Sequence, residues 1–239
     1  MYNNAYVSMV LPAAGSGMRM KRSEKKQYIN INGREVLEWT IYHLSMNNSI
    51  DEFIVVVGKE EIEIVSAKIS KWFPKLNVHV IEGGCSRDES VYLGLLRCDV
   101  SSEYVFIHDA VRPFVQSDWL DNMLAVIERD GFQGVALGKP LADTLKRVSA
   151  EGVILDHVDR TDLWRIETPQ LFKTKAIKEA HSKKDQIGVL ITDDTQLISA
   201  LGGNVKIIAH EGLNEKITTP EELALAYAFL NELEKGDQK

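Results

Sequence analysis

Cysteine, long apolar runs and a charged leader segment are all scarce or missing in this 239-residue sequence. Its two cysteines, Cys85 and Cys98, form no CxxC pair and are too few for a disulfide framework, which disfavours zinc ribbons and redox motifs. No run approaches the ~18 apolar residues of a membrane-spanning helix, and no charged residue precedes the first apolar run. We therefore expect a cytoplasmic protein with no targeting segment and no membrane partner.

An excess of positive charge is also missing, because 28 lysines and arginines face 35 aspartates and glutamates and leave a formal net charge of −7. A protein that coats DNA or RNA usually presents a basic face, so we expect no nucleic-acid partner. An anionic ligand would have to be met by a local cluster of cations. One such cluster lies at residues 19–26, where a single acid, Glu24, accompanies five cations: Arg19, Lys21, Arg22, Lys25 and Lys26.

Short apolar runs and amphipathic segments alternate along the first half of the chain. The apolar runs predict strands at residues 6–11, 53–57, 77–81 and 104–108. The amphipathic segments between them predict helices at residues 35–46, 60–73, 89–96 and 118–129. This alternation is typical of βα units around a mostly parallel sheet, so we expect an α/β fold.

Capping signals mark where several of these helices begin and end. Ser86 with Glu89, and Thr219 with Glu222, fit the S/T-x-x-E capping box. The proline after Thr219 suits the first position of a helix, and Gly131 suits the position just beyond a helix end. These signals predict two helix starts and one helix end.

Between Lys139 and Arg165 the alternation breaks. The segments TLKRV and VILDHV predict two strands joined by a turn at residues 149–152. This hairpin is either a solvated excursion from the surface or a dimerisation arm, and the residues alone favour neither. Because the chain has no low-complexity linker and no internal repeat, we expect one domain over residues 1–239, with an arm inserted at about 139–165.

The stretch VLPAAGSGMRM at residues 10–20 places two glycines directly after the first predicted strand. A P-loop would need Gly-Lys-Ser/Thr, which the stretch lacks, and a dinucleotide fingerprint would need a glycine where Met20 stands and an acid after Val57. Gly15 and Gly17 instead leave backbone N–H groups accessible, and the adjacent cations suit a polyphosphate. A solvated basic turn is the other interpretation, and we favour phosphate binding.

The segment HDAVRPF at residues 108–114 follows the last predicted strand of the alternating half, at the sheet edge where open α/β folds bind ligands. Asp109 could accept hydrogen bonds from a substrate hydroxyl and Arg112 could bind an anion, or the two could form an internal ion pair. We assign His108 to packing and give it no catalytic role.

Further cations and hydroxyls fall at predicted strand ends or in loops: Arg87, Ser90, Thr144, Arg160, Thr168, Thr192 and Lys216. Each has a purely structural alternative. Asp193 and Asp194 could bind a cation, although adjacent acids before a helix usually only stabilise its dipole. The sequence has no Ser-His-Asp or Cys-His arrangement in a recognisable context and no set with zinc spacing, so we name no metal-binding residue.

Together these stretches resemble the 2-C-methyl-D-erythritol 4-phosphate cytidylyltransferases, the synthases of diphosphocytidyl-methylerythritol in the non-mevalonate isoprenoid pathway. Eight blocks occur in the family's order from Leu11 to about Leu230: PAAGSGMRM, KQY, GGCSRDESVYLGL, HDAVRPF, ADTLKRV, VDRTDLWRIETPQLF, ITDD and EKITTPEEL. Ordered blocks over most of the chain are far more specific than one glycine loop. The resemblance implies a Rossmann-like nucleotidyltransferase fold with a protruding β-hairpin arm.

The resemblance also implies a reaction, in which CTP and methylerythritol phosphate give the diphosphocytidyl product and pyrophosphate, with Mg²⁺ bound mainly through the CTP phosphates. The family's nucleotide-binding residues match Pro12, Ala13, Ala14, Gly15, Gly17, Gly84, Arg87 and Ser90. Its catalytic residues match Arg19, Lys26, Arg160 and Lys216. Its substrate-binding residues match Asp109, Arg112, Thr144, Thr168 and Thr192. In the family the arm crosses to a neighbouring subunit, which implies a homodimer in which Thr144 and Arg160 act in trans.

Two positions depart from the family pattern. Lys25 replaces the usual proline, and Cys85 replaces the acid that some members place beside cytosine, so we expect a backbone carbonyl to accept there. The nearest alternative is a cytidylyltransferase for ribitol 5-phosphate or another polyol phosphate, but such relatives tend to begin with Ala-Gly-Gly, and RTDLW at residues 160–164 also favours methylerythritol phosphate. An NAD-dependent dehydrogenase is disfavoured by Met20, and a non-catalytic regulator by the presence of all the cations.

Overall fold

One seven-stranded sheet forms the centre of the computed structural model, which describes residues 1–15, 24–187 and 191–236. The strands are β1 (Tyr6–Pro12), β2 (Asn30–Ile31), β3 (Arg34–Glu35), β4 (Glu52–Val57), β5 (Val78–Glu82), β6 (Ser102–Ile107), β7 (Gly134–Pro140), β8 (Leu145–Val148), β9 (Ile154–Val158), β10 (Trp164–Lys173) and β11 (Val205–Ala209). The helices are α1 (Val36–Ser45), α2 (Ile62–Trp72), α3 (Arg87–Arg97), α4 (Ser117–Asp130), α5 (Thr174–Ser182), α6 (Asp194–Ala200) and α7 (Pro220–Gly236). Short 3-10 turns lie at Lys26–Tyr28, Lys59–Glu61 and Lys184–Gln186.

The sheet order is β11-β7-β10-β6-β1-β4-β5. Strand β10 runs antiparallel to both of its neighbours, whereas the other pairings in the sheet are parallel. The carboxyl ends of the parallel strands therefore meet at one edge, and β10 brings its amino-terminal half to that same edge. The prediction of an α/β fold with a mostly parallel central sheet is confirmed.

Both faces of the sheet are apolar and both are covered by helices. Val7, Met9 and Leu11 of β1 pack on the face that α1, α2 and α4 cover, while Val10 packs on the face of α3, α5 and α6. A strand that is buried on both faces is apolar at successive positions of its sequence, which explains the run FIVVV within β4. A third apolar cluster around Ile31 anchors α7 beside α1.

The eight predicted strands and helices of the first half of the chain are all present, with ends shifted by a few residues at most. Gly131 ends α4 with a φ of 73°, a left-handed conformation that glycine adopts without strain. Thr219 and Glu222 form the full capping box at α7. At α3, Ser86 Oγ accepts from Glu89 N as predicted, but the Glu89 carboxylate accepts from Cys85 N, one residue earlier than a capping box requires.

The predicted hairpin is present as β8 and β9, which pair only with each other and form their own two-stranded sheet. It is inserted between β7 and β10, which are neighbours in the main sheet, and it exposes apolar side chains at Val148, Ile154 and Leu155. We call residues 141–163 the arm. The assignment of the whole chain to one domain stays a prediction. Within the described ranges, no helix combines the length and the apolar character that crossing a membrane requires.

Candidate active site

A cleft of 370 Å³ opens at the carboxyl edge of the parallel strands. This volume lies in the range of small-molecule sites, and the cleft is bounded by the loops after β1, β5 and β6 and by the segment that precedes α7. Most of the predicted site residues line it: Pro12, Ala13, Ala14, Gly15, Lys26, Gly84, Arg87, Ser90, Asp109 and Lys216. The topology thus brings together residues that are spread over more than 200 positions of sequence.

Hydrogen bonds from a buried glutamine fix the loop after β1. Gln27 is 1% exposed, and its Nε2 donates to the carbonyls of Ala13 at 2.7 Å and Gly15 at 3.4 Å. Satisfying these carbonyls with one side chain fixes the turn that borders the cleft. Sequence reasoning missed the role of Gln27, which lies within the KQY block. Gly17 and Arg19, also predicted for this loop, lie outside the described residues.

The two described lysines of the basic cluster point to different places. Lys26 lines the cleft. Lys25 forms a 2.8 Å ion pair with Glu61. The Glu61 carboxylate also accepts from Gly58 N at the start of the 3-10 turn Lys59–Glu61. Lys25 therefore connects the loop to Glu61, whereas Lys26 contributes to the lining of the cleft.

The loop after β5 approaches the loop after β1 closely enough to require glycine. A Cβ on Gly83 would lie 2.8 Å from both Ala14 Cβ and Ser90 Oγ, which is closer than real Cβ contacts. Ser90 Oγ accepts from Gly84 N at 3.1 Å and donates to Ser86 O at 2.9 Å. The Ser90 hydroxyl therefore fixes the loop that forms this wall of the cleft.

Asp109 lies at the centre of three cations. Its carboxylate is 3.3 Å from Arg87 Nε, 3.4 Å from Arg112 Nε and 2.8 Å from Lys216 Nζ. Burial alone would raise the pKa of this carboxyl, but the three cations outweigh burial and hold the pKa well below its usual range. The internal ion pair considered for Asp109 and Arg112 is present, and the role of Asp109 toward a substrate hydroxyl stays a prediction.

Arg87 bridges Asp109 to a second buried acid, Asp194. Its Nη1 lies 2.8 Å from Asp194 Oδ2, and His181 Nε2 lies 3.1 Å from the other oxygen. Burial acts to lower the pKa of the guanidinium, but Asp194 and Asp109 raise it above its usual value, so Arg87 stays charged. The sequence interpretation treated Asp193 and Asp194 alike, whereas only the former caps α6, through a bond from Gln196 N.

Strand β10 contributes to the site from the antiparallel direction. Thr168 Oγ1 accepts from Asp109 N at 3.0 Å and is buried beneath the cleft, so it fixes the Asp109 backbone. Arg112 Nη1 donates to Asn214 O at 2.5 Å, and Asn214 Nδ2 donates to Thr168 O at 2.8 Å. Sequence reasoning missed Asn214, because an isolated asparagine in a loop carries no pattern.

Five of the predicted residues that the structure describes do not line the cleft: Arg112 and Thr168, which contact Asp109, and Thr144, Arg160 and Thr192. Thr144 and Arg160 are exposed on the arm, where Arg160 donates to Ala142 O. Thr192 lies in a small adjoining recess with Arg87 and Asp193, and its hydroxyl donates to Gln196 Oε1.

His108 is buried, and its Nε2 donates to Arg112 O at 3.0 Å. Burial lowers the pKa of His108 to about 4, so the imidazole is neutral at pH 7 and serves packing. Within residues 1–15, 24–187 and 191–236, no three His, Cys, Asp or Glu side chains cluster as metal ligands.

A glycine turn after the first strand, cations converging on a cleft at the carboxyl edge, and a hairpin inserted before an antiparallel strand define a Rossmann-like nucleotidyltransferase. The family profile of 2-C-methyl-D-erythritol 4-phosphate cytidylyltransferase (IspD) matches residues 7–232. The chain belongs to this family. It is therefore a cytidylyltransferase of methylerythritol phosphate metabolism, as predicted, and the alternative polyol-phosphate acceptor is not favoured.

Individual relatives show the same similarity over nearly the full length. The chain is 38% identical over 225 residues to the 2-C-methyl-D-erythritol 4-phosphate cytidylyltransferase of Caldanaerobacter subterraneus, covering 94% of this chain and 98% of the relative. It is 33% identical over 233 residues to that of Alkaliphilus metalliredigens, covering 97% and 96%. The crystal structure of 4-diphosphocytidyl-2C-methyl-D-erythritol synthase from Anaerococcus prevotii superimposes with a TM-score of 0.81 at 30% identity, covering 95% of this chain and 99% of that one.

Proposed function

We propose that the cleft catalyses transfer of the cytidylyl group of CTP to 2-C-methyl-D-erythritol 4-phosphate by positioning two phosphates among fixed cations. The observation that carries this mechanism is the convergence of Arg87, Arg112 and Lys216 on Asp109, directly beside the glycine turn. Cations fixed by a buried carboxylate need not reorganise when charge develops on a reacting phosphate.

The nucleotide occupies the side of the cleft formed by the loops after β1 and β5. Pro12, Ala13 and Ala14 lie beside the ribose and base. We assign the triphosphate to Gly15 and Lys26 and, from the resemblance to the family, to Gly17 and Arg19, which lie outside the described residues. The wall formed by Gly84, Arg87 and Ser90 holds cytosine. Cys85 is exposed and lines this wall, so its main-chain carbonyl is the acceptor we assign to the base.

The chemical step needs no activated nucleophile, because the attacking atom is a phosphate oxygen of methylerythritol phosphate that is already an anion. This oxygen forms a bond to the α-phosphorus of CTP, and the bond from that phosphorus to the pyrophosphate oxygen breaks. Arg19, Lys26 and Lys216 stabilise the charge on the α-phosphate and the departing pyrophosphate. Positioning and electrostatic stabilisation account for catalysis of this kind.

The donor set of the cleft suits Mg²⁺ held by substrate rather than by protein. Asp109 is the one carboxylate among the described lining residues, and its oxygens already contact three cations. When bound, Mg²⁺ neutralises phosphate charge, and it retains water ligands readily. We therefore assign its ligands mainly to the triphosphate oxygens and name no protein ligand.

The acceptor side is completed by a second subunit. Thr144 and Arg160 lie on the exposed arm rather than in the cleft of their own chain, and the arm carries exposed apolar side chains. Both features favour a homodimer in which the arm supplies Thr144 and Arg160 to the partner's cleft, where Asp109, Arg112, Thr168 and Thr192 complete the acceptor site. Cys85 and Cys98 are both free thiols, which favours a reducing cytoplasm.

The direct test is pyrophosphate release with CTP and Mg²⁺, comparing methylerythritol phosphate with ribitol 5-phosphate as acceptor. We expect release with methylerythritol phosphate alone. Release with ribitol 5-phosphate alone would keep the mechanism and reject the acceptor. No release with either acceptor would reject the assignment of the cleft.

A further inference from the structure

A buried carboxylate that the proposed reaction does not use lies behind the cleft. Glu167 precedes Thr168 on β10, and its side chain is 1% exposed. One of its oxygens, Oε2, accepts from His210 Nε2 and from Asn214 Nδ2, both at 2.9 Å. The other, Oε1, lies 2.8 Å from Arg165 Nη2. Both oxygens of Glu167 are therefore engaged.

All three partners of Glu167 either lie in the segment that precedes Lys216 or contact it. His210 and Asn214 lie near the two ends of the loop between β11 and Lys216, and Glu167 Oε2 ties both to one point. Arg165 also contacts Glu215 Oε1 at 2.9 Å, immediately before the lysine. The main-chain carbonyl of Asn214 in turn accepts from Arg112, so the same segment borders two of the three cations around Asp109.

The burial of Glu167 has an energetic implication. A buried carboxylate is costly unless several groups compensate its charge and hydrogen-bonding capacity, and removing its charge leaves those groups unpaired. In Glu167→Gln, the side-chain amide N–H₂ would face either the Arg165 guanidinium or the donors His210 and Asn214. One side of the contact would become donor against donor, and the loop would lose one of its fixed points.

We propose that Glu167 is a positioning residue for cytidylyl transfer, acting by fixing the 210–215 segment so that the Lys216 ammonium is held at the reacting phosphate. This proposal rests on the proposed function, because it needs Lys216 to act on the phosphate. Glu167 itself contacts neither substrate in this arrangement. Glu167 acts only by determining the position of the Lys216 ammonium.

The test is steady-state kinetics of Glu167→Gln with CTP and methylerythritol phosphate. We expect kcat to fall about 10- to 100-fold, the size of effect that follows from misplacing a reacting group, while the KM for CTP changes less than about twofold. A change in kcat without a change in the KM for CTP is the signature of a misplaced transition-state contact. A kcat within about twofold of the wild type would overturn the proposal.

A second buried carboxylate provides the matched control. Glu52 is also 1% exposed, and it accepts from Ser8 Oγ and Asp99 N at the opposite edge of the sheet. We expect Glu52→Gln to lower the melting temperature and leave kcat within about twofold of the wild type. A loss of kcat in Glu52→Gln equal to that in Glu167→Gln would show that both variants act only through stability, and would overturn the proposal.

Combining Glu167→Gln with Lys216→Ala tests whether Glu167 lowers kcat through the position of Lys216 or independently of that lysine. If Glu167 acts through Lys216, the double variant Glu167→Gln with Lys216→Ala loses less activity than the product of the two single losses. Multiplicative losses would overturn the proposal. Full activity of Lys216→Ala alone would instead reject the proposed role of Lys216, which distinguishes the two failures.

A second variant keeps the proposal testable if Glu167→Gln does not fold. Asn214→Ala removes the amide that donates to Glu167 and retains the main-chain carbonyl that accepts from Arg112. We expect the same pattern, with lower kcat, an unchanged KM for CTP and a less than multiplicative loss with Lys216→Ala. A folded Asn214→Ala variant with wild-type kcat would contradict the proposal.

Discussion

A single buried carboxylate, Asp109, explains how an acidic protein can hold a highly charged anion. The cations Arg87, Arg112 and Lys216 share two acids, Asp109 and Asp194, so three positive charges face two negative charges and one positive charge remains. The acids keep the cations pointed at fixed positions. The described residues that line the cleft include three cations, Lys26, Arg87 and Lys216, and one carboxylate, Asp109, although the whole sequence carries a formal net charge of −7.

Removing a cation from the cleft should lower kcat strongly while changing the free energy of unfolding little. We expect Lys26→Ala and Lys216→Ala each to lower kcat by at least ~10²-fold, because each removes a preorganised charge at the reacting phosphates. The measurement is initial-rate pyrophosphate release at saturating substrates. The matched control is Lys71→Ala, which removes an exposed lysine of α2 and should leave kcat unchanged. Near-normal turnover in either cleft variant would contradict the assigned roles.

Gln27 should matter for both nucleotide binding and stability, because it holds the glycine turn. We expect Gln27→Ala to raise the KM for CTP several-fold and to lower the free energy of unfolding by about 1–3 kcal/mol, since the Ala13 carbonyl loses its buried partner. Urea unfolding and initial rates measure the two effects. In the control Gln133→Ala, the lost contact is a bond from Asn204 N at the far side of the sheet, so the KM for CTP should not change.

At the scale of elements, the strands that sequence predicts best are those buried on both faces. The run FIVVV is apolar at every position and could be assigned without its neighbours. Strand β10 was not predicted, because Glu167, Thr168 and Pro169 interrupt its apolar pattern, and its antiparallel direction depends on the arm that precedes it. Direction and order in a sheet are set by long-range pairing, which local periodicity does not encode.

The exposed apolar side chains of the arm should control assembly. If the proposed homodimer forms through the arm, the double variant Ile154→Asp with Leu155→Asp should sediment as a monomer. It should also lose activity, because Thr144 and Arg160 would no longer reach a second cleft. Sedimentation velocity at the assay concentration is the measurement. Glu151→Ala, in the turn of the same arm, is the polar control and should remain a dimer. A wild-type monomer with full activity would reject trans action.

The capping box of α7 should contribute measurably to stability. Glu222 Oε2 accepts from Thr218 N at 2.6 Å and from Thr219 N at 2.8 Å, which satisfies N–H groups at the start of the helix. We expect Glu222→Ala to lower the free energy of unfolding by about 1–2 kcal/mol. The adjacent Glu221→Ala, in the same turn but exposed, should change it by less than about 0.5 kcal/mol. Equal effects of the two variants would contradict the capping role.

For the whole molecule, the buried carboxylates predict how stability depends on pH. Burial acts to raise the pKa values of Asp109, Asp194 and Glu167, but nearby cations and hydrogen-bond donors outweigh it and lower all three. The folded protein therefore binds protons at these sites more weakly than the unfolded chain does. Their stabilising contribution is fully present above the unfolded values, about 3.9 for Asp and 4.3 for Glu, and is lost as pH falls below them.

Urea unfolding between about pH 6 and about pH 3 tests this dependence. We expect the free energy of unfolding to stay nearly constant from about pH 6 to about pH 5 and to decrease below that pH. Asp194→Asn removes one of the three carboxyls and should give a shallower dependence. A wild-type free energy that is independent of pH over this range would contradict the lowered pKa values.

The whole molecule also shows why only part of the site could be predicted from sequence. Gly15, Arg112 and Lys216 follow strands or precede a capped helix, and that position identifies them as residues of the carboxyl edge. The structural role of Asp194 depends on its contact with Arg87, 107 residues away in sequence. The role of Asn214 depends on its contact with Glu167, 47 residues away. Such pairs depend on the completed topology. Residues at the carboxyl edge are therefore more readily predicted from the sequence than the residues that fix them in place.

The arm leaves the sheet and returns to it through paired residues, because Pro140 of β7 lies opposite Trp164 of β10. The two ends of the arm therefore lie side by side in the main sheet, and the hairpin between them pairs only with itself. Thr144 and Arg160 thus lie on an excursion outside the main sheet, whereas Gly15 lies in the loop that directly follows the central strand β1. In the proposed homodimer, substitutions in this one hairpin would therefore alter the acceptor side of the site and leave the loops beside the nucleotide unchanged.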